Sequence, residues 1–163
     1  MADGLFSMRT LVLGLGNEIL GDDSVGLRVV RALRAQLPTD TPVDVSEDTH
    51  GGLRLMERMI GYERAIIVDA IQTGSPPGAL HWLSPGGIPT QRSASTHDVN
   101  LPTALSLGRQ ASALLPIDAN IHILAIEVAR VDQFSEELSR EVELAVPRAV
   151  AGILALLDQE EPQ

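Results

Sequence analysis

The sequence predicts an α/β protein: one domain built as a three-layer α/β/α sandwich on a mainly parallel twisted sheet. Three observations predict it. The runs Leu11-Val12-Leu13, Ala65-Ile66-Ile67-Val68 and Ile121 to Ile126 are short and apolar, two of them without interruption, as in strands covered on both faces. Segments with apolar residues at helical spacing separate them. No repeat and no interdomain linker divides the 163 residues, a length that buries one good core.

The elements follow in order. Residues 1–9 read as a tail. The strand Leu11–Leu13 runs into Gly14 and Gly16, where missing side chains let the backbone turn or approach a ligand closely. Asn17 and the adjacent acids Asp22 and Asp23 come next. Asp23 or Ser24 is placed to cap a helix carrying Val25, Val29, Val30, Leu33 and Leu37, ended before Pro38. A short strand is expected from Val43 to Ser46. The polar junction Asp48 to Gly52 leads to a helix with Leu53, Met56, Met59 and Ile60 inward, closed by Gly61.

The third strand runs straight into Asp69. Gly74 to Gly78, with two prolines, is a sharp loop, and Leu80 to Leu83 an edge strand. Ser84 to Thr96 reads as a long mobile loop, a length that usually signals function. It ends in Thr96-His97-Asp98 before a helix carrying Leu101, Ala104, Leu105, Leu107, Ala111 and Leu114, with Pro102 in its first turn. The strand from Ile121 stops at Glu127. The last helix, Ser139 to Leu157, is expected to kink at Pro147, and 158–163 to be a second tail.

Composition excludes several chemistries. No cysteine is present, so disulfides, thiol nucleophiles and thiolate metal sites are out. Nor is there a lysine, which removes Schiff-base chemistry and the phosphate loop that needs one. A net charge of -10 argues against nucleic acid and anionic membrane surfaces as partners. No apolar run is long enough to span a bilayer, and MADGLFSMRT lacks the parts of a signal peptide; the expected location is the cytoplasm.

Asp23, Asp69 and His97 all lie at or beyond strand ends, and a parallel sheet would gather them at its carboxyl edge. Two carboxylates and an imidazole form a mixed oxygen and nitrogen set suited to a divalent transition metal with open positions. Simpler roles fit each alone: Asp23 as a helix cap, Asp69 as an acceptor for loop amides, His97 as a loop histidine or cap. His50 and His81 read as loop and edge-strand residues, and His122 as one face of a strand. The glycine turn has a competing use. Ile19 stands where a dinucleotide fingerprint needs its third glycine, but Asp44 lies where such folds place a ribose-binding acid.

Gly14-Leu15-Gly16-Asn17 with Asp22-Asp23-x-x-Gly26 resembles the opening of the NiFe-hydrogenase maturation endopeptidases. The resemblance continues through Thr49-x-Gly51, Ile67-Val68-Asp69-Ala70 and Thr96-His97, and covers roughly Leu11 to Leu157. It implies metal-binding positions at Asp23, Asp69 and His97, with Asp23 and Asp69 also the catalytic candidates of an aspartic-type endopeptidase. Asn17 and Asp22 would support those positions rather than touch the metal. His50 stands where some relatives have a small residue, and Glu127 is not expected to be a ligand.

The implied substrate is the precursor of a NiFe-hydrogenase large subunit, from which a C-terminal extension is removed. Its nickel would come with the precursor, and the protease itself would be a monomer. The alternative is a non-catalytic maturation chaperone, or a nucleotide-binding module, using the Gly14–Gly16 turn.

Overall fold

The computed structural model describes residues 8–49, 51–87, 100–129 and 134–159. Five strands form one sheet: β1 (Thr10–Leu15), β2 (Val43–Asp48), β3 (Arg64–Ile71), β4 (Leu80–Leu83) and β5 (Ile121–Glu127), in the order β2-β1-β3-β5-β4. All neighbours are parallel except β4, which runs antiparallel to β5. Helices α1 (Val25–Arg34) and α4 (Arg140–Asp158) cover one face; α2 (Gly52–Met59) and α3 (Leu101–Gln110) cover the other.

Strand alternation sorts the core into two layers. Val12, Ile66, Val68, Leu124 and Ile126 pack against Val25, Val29, Val30 and Leu33 of α1 and Val142, Ala149, Val150 and Ile153 of α4. Leu11, Leu13, Ala65, Ile67, Ile121 and Ile123 pack against Leu55, Met56 and Met59 of α2 and Leu101, Ala104 and Leu105 of α3. Truncating one of these side chains, such as Ile67, to alanine costs about 2–5 kcal/mol. Among the described residues, no helix is long and apolar enough to cross a membrane.

Several boundaries differ from the sequence expectation. A 3-10 turn, Gly21–Ser24, precedes α1, and neither Asp23 nor Ser24 makes the expected cap; the Ser24 hydroxyl donates back to the Gly21 carbonyl at 2.7 Å instead. β3 continues two residues beyond Asp69, because the ladder with β5 persists to the Ile71–Glu127 pair. Leu53 and Ile60 are exposed, since Leu55, Met56 and Met59 form the buried stripe of α2. Leu107 is exposed as well, and α3 ends before Ala111 and Leu114. α4 starts at Arg140, one residue later than expected, and reaches Asp158 with Pro147 inside it. Arg9 is not loose: its carbonyl accepts from Glu63 N–H at 2.9 Å and its guanidinium stacks over Tyr62.

Candidate active site

The carboxyl edge of the parallel strands is where the glycine and acid motif acts. A Cβ on Gly16 would lie 2.3 Å from the Asp23 carbonyl oxygen. One on Gly26 would lie 2.3 and 2.4 Å from the carbonyl oxygens of Leu15 and Val68. Only residues without side chains let the start of α1 sit directly on the ends of β1 and β3. That close seat carries Asp23 toward Asp69.

The connecting turn is fixed locally. Asn17 Oδ1 accepts from the Ile19 N–H at 3.1 Å, an Asx turn, and the Asp23 N–H donates to the Leu20 carbonyl at 3.1 Å. Asp22 is turned away to another task. Its two oxygens accept from the Ser139 backbone N–H and hydroxyl at 2.7 and 2.8 Å, so it ties α4 to the turn. Arg31 of α1 adds a clamp by pairing with Glu18 of the turn and Glu47 of β2.

Asp69 feels the Asp23 charge. Burial pushes the Asp69 carboxyl up to about 7; the Asp23 charge adds to this, and the Ala70 N–H, 2.8 Å from Asp69 Oδ1, opposes it. Burial also raises Asp23, with the Asn17 backbone amide pulling the other way. Poor solvation and a nearby like charge both favour the protonated carboxyl, so Asp69 keeps its proton up toward neutrality. Such a pair can accept a proton from water or bind a cation that relieves the repulsion.

His97 and His50 lie outside the described residues. Among the described residues, no three His, Asp or Glu side chains gather as a metal set. The described part of the candidate site is therefore the Asp23–Asp69 pair, two oxygen donors of the hard type.

The nucleotide reading does not survive the fold. Asp44 sits near the amino end of β2, opposite Leu11, and its carboxylate is engaged by the Tyr62 hydroxyl at 2.6 Å. That is the wrong end of the sheet for a ribose at the carboxyl edge. Glu127, not expected as a ligand, is a buried acid bonded to Thr73, Gly74 and His81. Its only sequence signal was an acid closing an apolar strand.

Fold and site together define a class: a single-domain α/β protein with a paired-carboxylate centre above parallel strands. The hydrogenase maturation protease family profile matches residues 27–156, and the chain belongs to that family. It is 32% identical over 102 residues to the hydrogenase 2 maturation protease of Escherichia coli, covering 61% of this chain and 62% of that relative. It is 24% identical to the hydrogenase expression/formation protein HupD of Thiocapsa roseopersicina, over 91% of this chain and 67% of the relative. Among solved structures, the hydrogenase maturating endopeptidase HybD from E. coli superposes with a TM-score of 0.76, at 28% identity and 92% coverage of both chains. The NiFe hydrogenase maturation protease HybD from Thermococcus kodakarensis gives 0.71, at 30% identity, covering 93% of this chain and all of the other.

Proposed function

We propose that this protease removes a C-terminal extension from the precursor of a NiFe-hydrogenase large subunit, and that the precursor's own nickel brings the two together. The observation that carries the reading is the Asp23–Asp69 pair at the strand ends: burial raises both carboxyls, the Asp23 charge raises Asp69 further, and both stay partly exposed. Two crowded carboxylates gain from a divalent cation, so a loaded precursor docks and an empty one does not. His97 completes the set as a nitrogen donor in this proposal. Nickel is thus part of the substrate, and recognising it is the checkpoint.

Once the precursor is bound, one carboxylate of the pair takes a proton from the attacking water, an aspartic-type role. Asn17 and Asp22 hold the turn and α4 in place around it. The test is incubation of nickel-loaded and nickel-free precursor with the protease, followed by intact-mass measurement. A shortened C-terminus in the loaded sample alone is expected. Equal trimming of both would remove nickel from the account, and an unchanged mass in both would favour a non-catalytic chaperone.

A further inference from the structure

Glu127 closes β5 with its side chain only 1% exposed, and the step above does not use it. Its Oε2 accepts from the backbone N–H groups of Thr73 and Gly74 at 2.7 and 3.3 Å. Its Oε1 takes the Thr73 hydroxyl and stands 3.2 Å from His81 Nε2. Burial pushes the carboxyl up, but these donors, led by Thr73, outweigh it and hold Glu127 below the usual range. An ionised carboxylate accepts and does not donate. His81 therefore carries its hydrogen on Nε2, which leaves Nδ1 able to take and release a second proton.

The sheet register places this pair beside the site. Asp69 of β3 and His81 of β4 are both opposite Ala125 of β5, one on each side. Residues in register point to the same face, and Leu83, two along from His81, packs into the α2–α3 layer as Ile67 does. Asp69 and His81 thus flank Ala125 on one face, two strand spacings or ~10 Å apart. Ala125 and Glu127 form a buried floor at 3% and 1% exposure. The groups on either side stay reachable: Asp69 is half-buried, and the His81 side chain is 29% exposed. Among the described residues, the charged groups on this face beside the ring are Glu127 from β5, bonded to it, and Asp69 across Ala125; the 72–79 loop carries none.

We propose that His81, positioned by Glu127, is the general acid of the cleavage step and protonates the amine that leaves. The inference rests on the reading that Asp69 belongs to the cleavage centre. A water oxygen bonds to the scissile carbonyl carbon, and the water's proton passes to the carboxylate pair. The carbon–nitrogen bond breaks as the doubly protonated imidazole gives its Nδ1 proton to the departing nitrogen. Proton exchange with solvent restores both groups. Glu127 touches no substrate; it holds the ring and the Thr73–Gly74 loop.

The experiment is single-substrate kinetics of full-length protease on nickel-loaded precursor across pH, for wild type, His81→Gln, Glu127→Gln and Asp69→Asn. His81→Gln keeps an amide donor for Glu127, so the contact persists. Its kcat is expected to fall roughly 100-fold with little change in KM, and the decline of kcat at alkaline pH to disappear. Glu127→Gln keeps the ring and should move that alkaline limb to lower pH. Wild-type kcat and an unchanged limb in His81→Gln would overturn the proposal. Should His81→Gln melt below the assay temperature, an unmoved limb in Glu127→Gln would overturn it equally. If His81→Gln is fully active while Asp69→Asn is dead, this inference falls and the carboxylate reading stands; full activity of Asp69→Asn sinks that reading itself.

Discussion

Asp22 and Ser139, 117 residues apart in sequence, are joined by two hydrogen bonds, with the Ser139 N–H and hydroxyl 2.7 and 2.8 Å from the two oxygens of Asp22. The paired acids of the opening motif therefore divide the work. Asp22 is 8% exposed and faces α4, while its neighbour Asp23 faces Asp69. One residue holds the scaffold, and the other lies beside Asp69 in the candidate site.

Asp22→Ala should accordingly lose stability more than chemistry. Two hydrogen bonds to a charged group are worth about 3–6 kcal/mol together, and urea denaturation should show a loss of that order. Asp23→Ala should change stability little and abolish processing. A reversal of these two phenotypes would refute the division.

Asp69 should make stability depend on pH. Its folded value, pushed up to about 7, lies above the ordinary carboxylate value expected in the unfolded chain. The folded state is therefore favoured by the proton. Its advantage is intact below the unfolded value, shrinks as pH rises through the interval, and is gone above about 7. Asp69→Asn carries no such charge, and its Oδ1 can still accept from the Ala70 N–H. It should melt higher than wild type at pH 8, by roughly 2 kcal/mol once partial exposure is allowed for, and no higher at pH 4. A stability difference independent of pH would contradict the burial argument.

Gly26→Ala probes the seat of α1. The new methyl would meet two backbone carbonyl oxygens at 2.3 and 2.4 Å, neither of which can swing aside as a side chain could. Overpacking of this kind costs about 1–3 kcal/mol, and displacing α1 should also separate Asp23 from Asp69. Thermal melting and precursor cleavage should fall together. A variant of unchanged stability would mean that the helix start is not held by this contact.

Much of this was legible in the chain. The apolar runs identified the sheet, and the glycines with Asp22 and Asp23 marked the candidate site at its carboxyl edge, because close approach and charge leave marks on single residues. What depends on distant pairing was not legible. Nothing near Asp69 says that β3 continues to Ile71; the partner residue Glu127 lies 56 positions further on and decides it. The same holds for His81. As part of a four-residue edge strand it looked ordinary, and only the antiparallel register with Ala125 sets it across from Asp69. Leu53 and Ile60 misled because a short helix buries a narrow stripe, and Leu55, Met56 and Met59 already fill it.

The most direct measurement is the mass of nickel-loaded large-subunit precursor after incubation with wild type, Asp23→Asn and Asp69→Asn, each shown by circular dichroism to be folded. The account predicts a shortened C-terminus with wild type and a full-length precursor with both variants. Trimming at the wild-type rate by either variant would contradict the claim that the paired carboxylates at the strand ends are the working centre.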